Sequence, residues 1–419
     1  EKGLKKLKQK VDDGSTVLSV VAPPGAGKSH FGCKAFKTFR EDGLVERLVW
    51  LSPSRTIKNG IASSAAAWDL QIAIDMDNSS MTRESDRQKG FDGSSQTYAQ
   101  VSKASDLHRY LNSKMKTMVI FDEFHHLGTE SFWGETFEYA TDPCVLKLGF
   151  SATPYRSGPY GIPLLEYDSE GKLKADYHHT IKEALKVRDI RPFEFVLENG
   201  RMDWTDDGIY RQVTFQDNVN KRDTSTRLRA AIYGENYCLG LLEKAHKTLQ
   251  DDRKHFYPNA KGIVFADSVQ HINTSASLLK RITGKTPAIV HNKVDNAQDV
   301  INHFAESKEL DWIVSCRMIG EGANIPELTT CVYLSKIKTP LSLHQAWGRC
   351  SRQIEGFENL NAHIFLPEDP DMKAFASQIE IEQREAFDEL GEEPEAGGQK
   401  TPIENERNIT LIGAECLGA

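Results

Sequence analysis

Short apolar runs separated by longer polar stretches set the rhythm of the chain. Thr16–Val21, Arg47–Leu51, Thr117–Phe121 and Val145–Phe150 read as buried strands, each bounded by polar, helix-length sequence. Residues 3–12 place apolar side chains at helical spacing among lysines and predict an amphipathic helix. A second series begins near residue 260 with Gly262–Ala266. It continues through Ala288–Val290, Trp312–Val314, Cys331–Leu334 and Ala362–Leu366. Strands that alternate with helix-length segments predict a mainly parallel sheet flanked by helices. Two such series predict an α/β protein with two doubly wound parallel-sheet lobes in tandem.

The pattern also suggests boundaries. The first lobe is expected over 1–180 and the second over 241–370, with 181–240 connecting them and 371–419 forming a charged, partly helical and partly mobile tail. The stretch 155–225 is rich in Gly, Pro and charge and shows no long periodicity, so it reads as an excursion plus the connection. Gly391–Gln399 is acidic and carries Gly and Pro, a composition that does not favour packing.

Composition adds limits. The chain has 419 residues, 39% hydrophobic and 27% charged, which fits a packed protein of two or three domains. No apolar run approaches the ~20 residues needed to span a bilayer. No signal-peptide pattern opens the chain, and the start at Glu1 without a methionine points to a chain trimmed from something longer. Seven scattered cysteines with no CxxC pair read as free thiols in a reducing, cytoplasmic compartment. The net charge of -8 does not decide the partner, because a basic groove can coexist with an acidic whole.

Four segments carry chemistry. Ala22-Pro23-Pro24-Gly25-Ala26-Gly27-Lys28-Ser29, between a strand and a helix, is a phosphate loop. Its glycines let backbone N–H groups turn toward phosphate oxygens at a helix N-terminus. Pro24, Gly25, Ala26, Gly27, Lys28, Ser29 and His30 are its candidate nucleotide contacts, with Lys28 for the β and γ phosphates and Ser29 for Mg2+. Next, the strand ending at Phe121 delivers Asp122 and Glu123, the first suited to hold Mg2+ and the second to polarise an attacking water. His125 and His126 follow, but adjacent histidines point apart and no further ligands are spaced to close a zinc site. The third segment, Gly149–Arg156, offers Ser151 and Thr153 as hydroxyls that could couple to those carboxylates. In the fourth, Gln345, Gly348, Arg349 and Arg352 are spaced by three and four, so on a helix both guanidinium groups share a face and could meet one triphosphate.

Four motifs in this order resemble the superfamily 2 helicases and translocases over roughly residues 15–367. Leu148–Arg156 and the double histidine look most like the branch containing RadD, UvsW and the motor subunits of type I and III restriction enzymes. The resemblance makes Asp122-Glu123-Phe124-His125 a DExH box and implies two RecA-like lobes that close on ATP and Mg2+. It assigns catalysis to Lys28, Asp122, Glu123, Gln345, Arg349 and Arg352. It assigns strand contacts to Ser54, Arg55, Gln96 and Thr97, and Met318–Pro326 resembles the segment that links nucleotide to nucleic acid, with Gly322 and Asn324 near the nucleotide. Asn324 stands where the usual pattern has Asp, and the adenine-reading glutamine motif is expected before residue 1.

Three functional readings stay open at this point. The branch favours an ATP-dependent DNA helicase or double-strand DNA translocase, within a repair, restriction or phage-defence complex and with no membrane role. An RNA helicase would use the same motor. A non-catalytic, ATP-gated nucleic-acid clamp belongs to another class, and intact Lys28, Glu123 and Arg352 argue against it.

Overall fold

The structure, a computed structural model, describes residues 1–124, 127, 131–152, 167, 173–206, 209–291, 293, 294, 296–316, 325–390, 415 and 416. These divide into one compact unit running to Thr180 and a second that starts at Ile181.

The first unit is built on seven parallel strands: β1 (Val17–Val21), β2 (Arg47–Ser52), β3 (Ile72–Ala73), β4 (Gly93–Thr97), β5 (Thr117–Phe121), β6 (Leu146–Ser151) and β7 (Tyr177–His178). Their order across the sheet is β3-β4-β2-β5-β6-β1-β7. The central strands are buried on both faces, as a parallel sheet between helix layers requires. On one face Leu18, Trp50, Ile120, Leu148 and Phe150 pack with Phe36 and Phe39 of helix Lys28–Glu41. Trp50 and Phe150 stack with ring centroids 6.1 Å apart. A Cβ at Gly32 of that helix would lie 2.6 Å from the Trp50 ring, so the glycine sets how closely the helix approaches the sheet. β4 is Gly-Ser-Ser-Gln-Thr, a polar sequence that is nevertheless almost entirely buried. Its backbone is paired on both sides, by β2 and β3.

The second unit contains β8 (Phe193–Glu198), β9 (Gly200–Asp206), β10 (Ile209–Thr214), β11 (Lys261–Ala266), β12 (Ala288–Val290), β13 (Trp312–Ser315), β14 (Leu328–Leu334), β15 (Ala362–Pro367) and β16 (Glu415–Cys416). Six of them form a parallel sheet in the order β12-β13-β11-β14-β15-β8. The parallel sheets of the two units match the expected tandem of RecA-like lobes. Helix Val269–Thr283 follows β11, with Ser268 accepting from the His271 amide at its start and Gly284 at φ 71° at its end. That is the capping chemistry that starts and stops a helix.

The span 181–240 does more than connect. β8 pairs with β15 along its full length and closes one edge of the second sheet. β9 and β10 form an antiparallel hairpin, to which β16 adds through Gly200 and Arg201. Helix Pro370–Leu390, in the span expected as a charged tail, buries Met372, Ala376, Ile379, Gln383 and Ala386. Gln383 is bonded to both backbone groups of Phe193 at the start of β8.

Candidate nucleotide and nucleic-acid site

β1 ends at Val21 and the chain turns through Ala22–Gly27 into helix Lys28–Glu41. Gly25 and Gly27 have φ of 85° and 70°, the left-handed region that a side chain would strain. Gly27 is the cap residue, so the free amides of the first helical turn open toward the loop. The Ala22 amide donates to the Ser151 carbonyl at 3.0 Å, and Ser151 pairs with Val21 across the sheet. Ser151 is therefore fixed at the base of the loop. Ser29 lies in the first helical turn, and His30 is exposed beside it.

Two strands away, β5 ends at Phe121 and presents Asp122 and Glu123. Lys28 Nζ lies 3.2 Å from Glu123 Oε1 and 3.5 Å from the Ala22 carbonyl. Glu123 has φ of 51°, an uncommon conformation for a residue with a side chain. Asp122 is buried and tied down on three sides. Its carboxylate accepts from the Trp50 indole at 3.3 Å, its amide donates to the Leu51 carbonyl at 2.8 Å and its carbonyl accepts from the Tyr98 hydroxyl at 2.7 Å. Burial, and then the neighbouring Glu123 charge, push the Asp122 carboxyl up to about 7, while Lys28 and Trp50 pull it down. Trp50 was not singled out in the sequence, whereas Tyr98 closes Ser95-Gln96-Thr97-Tyr98, which resembles a strand-binding segment of the family.

The hard-oxygen set of Ser29 and Asp122 suits Mg2+. Two adjacent carboxylates, one with a raised proton affinity, form an environment that a cation would relieve.

The candidate strand-binding segments meet at a groove of about 720 Å³ lined by the cations Arg55, Lys58 and Lys103, the carboxylates Asp75 and Asp77, and Thr97, among others. Ser54 caps helix Arg55–Ala66 by accepting from the Ile57 amide, and Thr97 accepts from the Gln100 amide. Gln96 departs from expectation. Its side chain is buried and its amide donates to Ser94 Oγ at 3.1 Å, so it faces the fold and not the groove. Lys58 and Lys103 supply basic charge that the sequence motifs did not include.

In the second unit, helix Pro340–Trp347 holds Gln345 and stops at Gly348. Arg349 and Arg352 lie beyond it, so they do not share a helical face as their spacing predicts. Arg352 instead forms an isolated antiparallel bridge with Ile190. The two guanidinium groups still influence each other. Burial, and then the positive charge of Arg349, lower Arg352 to about 9. His125, His126, Thr153, Gly322 and Asn324 lie outside the described residues.

Two parallel α/β lobes, the first with a phosphate loop facing paired carboxylates, define a protein of the tandem RecA-like class. Residues 1–156 match the type III restriction enzyme res subunit family, and residues 242–353 match the helicase conserved C-terminal domain. The two lobes thus carry the domain pair of superfamily 2 helicases, the first matching the restriction-enzyme res subunit family. It is 29% identical over 409 residues to an uncharacterized protein of Mycobacterium tuberculosis, covering 95% of this chain and 67% of that one. It is 28% identical over 411 residues to an uncharacterized protein of Mycobacterium leprae, covering 94% of this chain and 67% of the relative.

Among solved structures, it resembles the ATP-dependent type ISP restriction-modification enzyme LlaBIII bound to DNA, with a TM-score of 0.59 and 13% identity. That match covers 92% of this chain and 29% of the other. A fragment assigned to the HsdR subunit of a type I restriction enzyme from Vibrio vulnificus matches with a TM-score of 0.59 and 14% identity, over 89% of this chain and 64% of that one. At these identities the structural matches speak for the fold. Among the described residues, no helix is long and apolar enough to cross a membrane.

Proposed function

We propose that this chain is an ATP-dependent DNA helicase or double-strand DNA translocase, acting in the cytoplasm within a repair, restriction or defence assembly. The observation that carries the reading is the Lys28–Glu123 contact at 3.2 Å, which joins the phosphate loop to the end of β5. Lys28 would meet the β and γ phosphates of ATP, and Glu123 would orient the attacking water. Mg2+, held by Ser29 and Asp122, would neutralise phosphate charge. Trp50 and Tyr98 hold Asp122 in place. Gln345, Arg349 and Arg352 would act when the two lobes close on the nucleotide, the arginines stabilising charge on the transferred phosphoryl group.

Arg55, Lys58 and Lys103 of the groove would track the phosphodiester backbone. Backbone tracking carries no base code, so DNA is favoured over RNA by the restriction-enzyme branch. ATP turnover measured with duplex DNA, single-stranded DNA and RNA tests the reading. DNA stimulation well above RNA stimulation is expected. Stimulation by RNA alone would replace DNA as the track, and ATP binding without stimulated turnover would make the chain a clamp.

A further inference from the structure

Arg191 is one of the largest fully buried side chains in the protein, and no nucleotide or strand motif includes it. A buried guanidinium is costly unless its donors are matched. Here Nε has no hydrogen-bond partner among the described residues, and the two terminal nitrogens span two carbonyls that are two residues apart. Nη2 donates to Pro326 at 2.9 Å and Nη1 to Leu328 at 3.3 Å. Pro326 is the last residue of the Met318–Pro326 segment, and Leu328 opens β14.

The same short stretch is stitched to the arginine-bearing segment. The Arg191 amide donates to the Ser351 carbonyl at 2.7 Å, and Ile190 pairs with Arg352 as an antiparallel bridge. The Gln353 side chain donates to the Ile190 carbonyl at 3.1 Å. Residues 190 and 191 thus bond on one side to Pro326 and Leu328 and on the other to 351–353, before the chain enters β8. An apolar side chain could fill the volume of Arg191. It could not fix the spacing between those two segments, because it has no donor to offer, whereas the planar guanidinium holds the two carbonyls at a set separation.

We propose that Arg191 is a positioning residue that sets the register of the Arg349–Arg352 segment against Pro326 and Leu328. Burial lowers its pKa to about 10, so it stays charged at neutral pH. The functional consequence rests on the motor reading above, whereas the structural one does not.

The test has two arms. Amide hydrogen exchange on the full chain compares wild type with Arg191→Met, Arg191→Lys and Gln353→Met. In Arg191→Met, exchange at residues 349–353 should speed up about tenfold or more while β11 and β13 keep their protection. Gln353→Met, which removes one bond of the set, should show a smaller change at the same residues. Unchanged exchange at 349–353 in a folded Arg191→Met protein would overturn the proposal. If that variant fails to fold, unchanged exchange in both Arg191→Lys and Gln353→Met overturns it instead.

The second arm is a double-mutant cycle on DNA-stimulated ATP turnover. Arg191→Met should lower kcat about tenfold with the KM for ATP within about twofold, and should add nothing in an Arg352→Ala background. Additive losses would mean that Arg191 acts on the fold and not through Arg352. If wild type shows no turnover, the motor reading fails and hydrogen exchange alone decides the role of Arg191.

Discussion

Lys28 Nζ and Glu123 Oε1 lie 3.2 Å apart, and both side chains are largely shielded from solvent. The lysine of the phosphate loop therefore already has a carboxylate partner. A triphosphate entering the loop would compete with Glu123 for Lys28, which would free Glu123 to orient water. Lys28→Ala should reduce nucleotide affinity at least about tenfold, as expected for a charge-assisted contact worth 1.5–3 kcal/mol. Titration with a fluorescent ATP analogue measures this, and unchanged affinity would remove Lys28 from the phosphate site.

Gly32 links packing to the site. A Cβ there would sit 2.6 Å from the Trp50 ring, and Trp50 holds the Asp122 carboxylate. Gly32→Ala is expected to cost about 1–3 kcal/mol by overpacking. It should also lower ATP turnover in protein that is still folded. Denaturant melts with turnover measured below the transition separate the two effects. Wild-type values for both would show that the helix can shift without disturbing Trp50.

The groove prediction concerns salt. If Arg55 and Lys58 contact phosphates, Arg55→Ala with Lys58→Ala should weaken DNA binding at all sequences. The slope of log affinity against log salt should become shallower by about 2, since each neutralised phosphate of duplex DNA contributes ~0.9. Fluorescence anisotropy across a salt series provides the slope, and an unaltered slope would move the track elsewhere.

His363 provides a pH signature in the second lobe. It lies between Asp252, at 3.2 Å, and Glu194, at 3.1 Å. Burial opposes its charge, but the two carboxylates outweigh burial and raise its pKa to about 9. A raised pKa means that the folded state binds the proton more tightly. The stabilisation is thus fully present below the unfolded value near 6.5 and is lost as pH rises through about 9. His363→Gln should cost on the order of 2 kcal/mol near pH 6, and the gap from wild type should narrow by pH 10. Urea melts at the two pH values check this, and a constant gap would contradict it.

The parts legible in the sequence were those where local chemistry and burial agree. The apolar runs became β1, β2, β5, β6 and the core strands of the second sheet, because strands covered on both faces need continuous apolar sequence. β4 was hidden because Gly93-Ser94-Ser95-Gln96-Thr97 is polar, and its burial is a property of its neighbours. Gln96 shows the same limit, since its side chain direction is set by pairing that no motif encodes. The spacing of Arg349 and Arg352 implied a helix, but helix Pro340–Trp347 ends first and Arg352 is held by a bridge to Ile190, 162 positions earlier by numbering. Trp50 and Tyr98 reach Asp122 only through sheet order, which lies outside any linear pattern.

The central claim is that Glu123 works on ATP held by Lys28. Steady-state ATP turnover at saturating duplex DNA, wild type against Glu123→Gln, tests it most directly. Removing the group that orients the attacking water should lower kcat by about 10²–10⁴-fold while nucleotide affinity is kept. A Glu123→Gln protein that hydrolysed ATP at the wild-type rate would contradict the account.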